Sequence, residues 1–321
     1  MSKGNKNIVK KQAIAWDVMI APVVFACLFI FNCILTPNFA SINTVFNLFT
    51  QSASAIILAY GMTLVISGGS IDISVGSTMA MGALGFAQVY NATNNLALGL
   101  IVMLAVGLLA GLTNGLVIAK FSVQPMVATM ATMYIIRSLA KVSSSGTAVP
   151  FSHPLLDKIV TLRIWGFIPY QVPLVLVVTL IFYLLANKTS FSVYIEACGD
   201  NPLAAKASGL NSVFYIAITH VIVGVLASCC GLMESMAVTS ADPIKIGNTY
   251  EMDAIAAVIF GGTPPSGGRA RIIGTLLGVL TITLIKMMIN MNDVQYEYSY
   301  VVRGSFVLLA VVAQNLKRSR G

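Results

Sequence analysis

The chain runs to 321 residues, 57% of them hydrophobic and only 9% charged, with a mean hydropathy of +0.86. Soluble domains carry about 25% charged residues, so this composition excludes an ordinary soluble fold; at about 20 apolar residues per crossing it describes an all-α, polytopic transmembrane bundle of roughly ten spans, with no room for a large soluble domain. The net charge of +8 does not mark a nucleic-acid partner, because the basic residues stand at the ends of apolar segments, where loops meet the membrane, and not along one face.

Lys3, Lys6, Lys10 and Lys11 precede an apolar run over 18–35. That run is too long for a signal-peptide core and no small-residue cleavage site follows it, so it reads as a signal anchor and first span, 18–36. Further spans are expected near 45–67, 73–90, 95–119, 123–141, 171–187, 213–237, 252–263, 271–290 and 296–315. The eighth is short and crosses only with its neighbours, or sits as a partial, tilted helix. Gly107, Gly111 and Gly115, and again Gly274 and Gly278, recur at four-residue steps, a spacing that lets helices pack closely.

With the N-terminus inside, alternation puts twelve cations on the inner side: the four N-terminal lysines, Lys120, Lys188, Lys206, Arg269, Arg271, Lys317, Arg318 and Arg320. Three fall outside, Lys158, Arg163 and Lys245. This asymmetry places both termini in the cytoplasm. The longest outer connection is 142–171, and an inner one covers about 188–212. The inner one contains EACGDNPLAAKASGLN (196–211), in which Asp200 or Asn201 serves as a cap and Pro202 opens the first turn. A short helix over 204–208, ended by Gly209, follows.

Two Gly-rich breaks fall at the inner face: SGGSIDISVGS (67–77) and GGTPPSGGRARIIG (261–274). The fold therefore carries short or broken helices near 67–77 and 252–274. Non-helical backbone at membrane depth survives only where it is buried in protein or lines a water-filled cavity. Candidates for the translocation pathway are accordingly Gly69, Asp72, Ser74, Gly76, Ser77, Asp253, Gly261, Gly262 and Thr263. Asp72 is expected to order the first break as a cap or hydrogen-bond acceptor. Arg137, Glu234, Lys286 and Arg303 are intramembrane charges, for which structural pairing is the favoured role. His153 and His220 show neither metal-ligand nor triad spacing, and His220, inside a helix, is expected to pack or hydrogen-bond between helices. Cys27, Cys33, Cys198, Cys229 and Cys230 read as small free side chains. No catalytic cluster, metal site or P-loop appears, so no cofactor is expected on this chain.

GMTLVISGGSIDISVGS (61–77) resembles the signature of ribose-type monosaccharide permeases of ATP-binding-cassette importers. VQPMVATMATMYIIR (123–137), the inner loop over 197–210 and YEMDAIAAVIFGGTPPSGGRARIIGTLLG (250–278) are similar to further stretches of that family, in matching order. Ser70, Ser138, Asp200, Pro264-Pro265 and Ala270 depart from its usual pattern. The resemblance implies a single permease domain over 1–321 in a bacterial cytoplasmic (inner) membrane, paired with a second permease chain as a homodimer. It implies two cytoplasmic ATPase subunits that hold ATP and Mg, and an extracytoplasmic sugar-binding protein. It implies that the inner loop is the coupling segment, with Gly199, Asp200, Asn201, Ala204, Ala205, Ser208 and Gly209 facing the ATPase. The competing classes are a self-sufficient secondary carrier or channel for a small polar solute, and an intramembrane enzyme, which requires a catalytic cluster at bilayer depth.

Overall fold

The computed structural model describes residues 3–295, 297–302, 304, 305 and 308, with side chains described from residue 19 onward. Most of the tenth expected span, with Arg303, and the cations Lys317, Arg318 and Arg320 lie outside the described residues, as do the side chains of the four N-terminal lysines.

The chain is mostly helical. The first five helices are α1 (Lys3–Leu35), α2 (Ile42–Ser67), α3 (Val75–Thr93), α4 (Leu96–Phe121) and α5 (Pro125–Ser143). After the 142–171 connection come α7 (Gln171–Lys188), α8 (Ser190–Asp200), α9 (Pro202–Ala207), α10 (Ser212–Ala237), α11 (Tyr250–Phe260) and α12 (Ile272–Met291). Capping chemistry sets several of these starts. Ser41 accepts from the Thr44 amide at 3.1 Å, Asn95 from Leu98 at 3.2 Å and Asn211 from Phe214 at 3.2 Å, while Pro125 opens α5.

Among the described residues, five helices are long and apolar enough to cross a membrane: α2, α4, α7, α10 and α12. The apolar part of α1, Met19–Leu35, is shorter, although the helix itself begins well before residue 18. The short eighth segment is α11, whose 11 residues make a rod of about 16 Å, half the ~30 Å hydrocarbon core.

Four two-residue strands accompany the helices of this mostly helical chain. The 142–171 connection holds the helix α6 (Pro154–Thr161) and the two-residue strands β1 (Val149–Pro150), β2 (Arg163–Ile164) and β3 (Ile168–Pro169); β4 (Ser240–Ala241) follows α10. β1 pairs antiparallel with β4, and β2 with β3. The first ladder ties the 142–171 connection to the end of α10. The segment at 188–212 is less of a loop than expected, because α8 and α9 fill most of it.

α2 is the central post. Its second half is buried nearly without interruption, enclosed by α7, α10, α11 and α12. α4 and α7 instead keep broad exposed apolar faces, which suits helices bordering lipid. The tightest helix pair is α4 with α10. A Cβ on Gly107 or Gly111 would meet the α10 backbone at Gly224 or His220, and one on Gly115 would meet Ala217. The four-residue glycine stripe thus lets these two backbones touch, and that contact delivers Asn114 and His220 to the break between α2 and α3.

Candidate functional site

At the first break, α2 ends on Gly68 and the chain turns at Gly69 (φ +77°), a left-handed conformation open to glycine. Asp72 then organises the entry into α3. Its Oδ1 accepts from the Ser74 amide at 2.8 Å and the Ser74 hydroxyl at 2.6 Å, a side-chain turn that mimics backbone. Asn114 of α4 donates to Asp72 Oδ2 at 3.2 Å and to Ser74 Oγ at 2.8 Å. His220 of α10 closes the cluster, with Nδ1 3.0 Å from Asp72 Oδ2 and Nε2 2.8 Å from Ser70 Oγ. All five side chains are buried, so the carboxylate has exchanged water for a shell of protein partners.

At the second break, α11 ends at Phe260 and Gly261 packs directly on Gly274. Thr263, fully buried, accepts from the Arg271 amide at 3.1 Å and so braces the start of α12. Gly262, Gly267 and Gly268 all take positive φ. The Gly268 amide donates to the Ser67 carbonyl at 2.8 Å, joining the second break to the end of α2.

The α8–α9 segment meets both breaks at one point. A Cβ on Gly199 would overlap the Ser67 carbonyl and crowd Gly68 and Gly268. Gly69 lies against Gly199, and Gly267 against both Gly69 and Gly199. Three stretches of backbone therefore touch with no side chain between them. Asp200 lies beside Gly268, and Glu196 Oε1 accepts from the Ala270 amide at 2.9 Å.

Asn201 alone caps α9, accepting from Ala204 at 3.0 Å, while Asp200 is the last residue of α8. Ser208 returns its hydroxyl to the Ala204 carbonyl at 3.0 Å, and Gly209 (φ +81°) ends the turn. Ala205 faces inward and is buried, whereas Leu203 is 82% exposed.

A cavity of about 410 Å³ opens beside this junction, bordered by Gly69, Ser70, Gln124, Cys198, Gly199 and Ser266 among others, with no charged side chain in its lining. Among the described residues, Gly69 is the one expected pathway residue that borders it. Asp72, Ser74, Ser77 and Thr263 are enclosed within the chain, and Gly76 packs against Gly247 and the Glu251 side chain. Asp253 pairs with Lys286 Nζ at 2.5 Å. Arg137 donates from Nη1 to the carbonyls of Pro243 at 3.0 Å and Ile246 at 2.8 Å. Both cations are thus held by protein acceptors, the pairing expected of charges in apolar helices.

Asn114, His220, Ser70 and Glu196 were not among the expected site residues. His220 and Asp72 are 148 residues apart, so no local motif joins them. Ser70 is a single serine in a Gly-rich stretch, and nothing local in the sequence marks its hydroxyl as the one that meets His220.

The chain matches, over residues 44–312, the family described as "Branched-chain amino acid transport system / permease component". It is 34% identical to the ribose import permease protein of Escherichia coli K12, covering 88% of this chain and 89% of that protein. It is 33% identical to the L-arabinose transport system permease protein of the same organism, covering 94% and 92%, and 34% identical to its galactofuranose transporter permease protein, covering 84% and 79%. No solved structure matches.

Proposed function

The chain belongs to the family of transport-system permease components matched over residues 44–312, and from that premise we propose that it is the membrane-spanning subunit of an ATP-binding-cassette importer for a monosaccharide. The cargo is a pentose, a hexose or a related small sugar-like solute. The family's description names branched-chain amino acids, but the relatives at 33–34% identity are named for ribose, arabinose and galactofuranose.

In this reading the chain sits in a bacterial inner membrane with both termini inside and about ten crossings, α3 and α5 among them. Two copies form the pathway. An extracytoplasmic binding protein delivers the sugar, and two cytoplasmic ATPase subunits hold ATP and Mg and supply the energy. The α9 helix docks on the ATPase, with Leu203 as its exposed contact, and Asn201 and Gly209 define its two ends.

The observation that carries the reading is the meeting of Gly199 with both breaks. A rigid element transmits displacement to what it touches, and interfaces without intervening side chains have little slack to absorb it. Movement of α8–α9 therefore reaches the end of α2, the start of α3 and the start of α12 through backbone contact. The test is reconstitution with ATPase subunits and binding protein in proteoliposomes. ATP-driven uptake of labelled sugar, lost with an inactive ATPase, is the expected result. Gradient-driven uptake by the chain alone selects the secondary carrier or channel instead.

A further inference from the structure

His220 is engaged through both ring nitrogens, and the two groups it holds flank the tip of the first break. Nδ1 meets Asp72 and Nε2 meets Ser70, with Ile71 between them. On the far side of that tip, Gly69 lies against Gly199 of the α8–α9 segment. The break is therefore gripped from α10 by an imidazole and pressed from α8 by bare backbone. Ser70 also borders the cavity that Gly199 and Cys198 help to line. Asn114 Nδ2 donates to Asp72 and Ser74, tying α4 into the same cluster.

From this geometry we propose that His220 is a positioning residue for transport: it latches the α2–α3 break to α10 in the conformation seen here and releases it, through Ser70, when the α8–α9 segment moves. The inference rests on the importer reading and adds to it the element that holds the break between strokes. The latch is tight because Gly111 brings the α4 backbone against His220 itself, and it is releasable because its grip on Ser70 is a single hydrogen bond.

The experiment uses the reconstituted complex with ATPase subunits and binding protein, and measures sugar imported per ATP hydrolysed. His220→Ala strips one partner from the buried Asp72 pair, so less complex is expected to assemble; in the fraction that does, ATP is hydrolysed while the ratio falls about tenfold, within the usual range of coupling effects. His220→Asn, which keeps a donor for Asp72, is expected to recover most of the loss. Ser70→Ala, removing one hydroxyl, should move the ratio in the same direction by less. A static packing role predicts less assembled complex with an unchanged ratio in the fraction that assembles, and that outcome overturns the latch. Failure of both His220→Ala and Ser70→Ala to assemble assigns the cluster to folding alone and overturns it too. The wild-type complex separates the two levels: no ATP-driven uptake there refutes the importer reading, whereas normal wild-type uptake with normal variant ratios refutes only the latch.

Discussion

Between α2 and α3, the groups at the break are taken up by buried side chains from distant helices: Asn114 on α4 and His220 on α10, gathered on Asp72. Between α11 and α12, the work passes largely to backbone, through the Gly268 amide on the Ser67 carbonyl and the close contact of Gly261 with Gly274. Thr263 and Glu196 add one acceptor each. The first break is buried almost throughout, whereas the second leaves Pro265, Ser266 and Arg269 exposed. They differ in what they cannot tolerate. The first break depends on polar atoms being present, and the second depends on carbon atoms being absent.

The largest effect is expected at the first break. Asp72→Ala removes the acceptor shared by His220, Asn114 and Ser74, and stripping one partner from a buried pair costs about 3–5 kcal/mol. Thermal unfolding of the purified chain in detergent or nanodiscs should show a large drop in apparent Tm. Asp72→Asn keeps an acceptor oxygen and should lose distinctly less. Equal losses for the two variants would break the comparison.

The second break should respond to added bulk. Gly267 has φ +83° and a Cβ there would stand 2.9 Å from the Gly69 amide nitrogen. Gly267→Ala therefore carries strain of about 1–3 kcal/mol, read by the same unfolding assay. Ser266→Ala, one residue away and exposed, should be near neutral. If the two behave alike, close backbone approach is not what holds this break.

A smaller effect sharpens the account of the segment that touches both. Asn201→Ala removes the cap on α9, worth about 1 kcal/mol. Hydrogen exchange of amides over 203–207 should quicken while exchange in α2 and α10 stays unchanged.

The sequence shows much of this fold because lipid imposes a simple rule on it. Apolar runs of the needed length fall where the long helices lie, and Asn201-Pro202 with Gly209 brackets α9 by ordinary capping chemistry. The Gly-rich stretches mark both breaks for the same reason, since helical backbone cannot continue through them. Other features leave no local mark. Two-residue strands carry no periodicity, so the β1–β4 ladder across the outer end is invisible until the connection folds back. Asp72 is legible as a turn former, but its partners are not: Asn114 and His220 are single polar residues in apolar helices, brought together only when the glycine stripe of α4 meets α10. The role of Gly199 is hidden likewise, because its neighbours lie on α2 and in the second break.

The claim at the centre of this account is that energy enters through α9, and Leu203 offers the most direct test. Leu203 and Trp165 are equally exposed, at 82% each, the one on α9 and the other on the 142–171 connection. In the assembled complex, a cysteine placed at Leu203 should cross-link to the ATPase subunit and one placed at Trp165 should not. A Leu203→Cys chain that assembles and transports but yields no cross-link to the ATPase, or reacts with an impermeant reagent from outside, would contradict it.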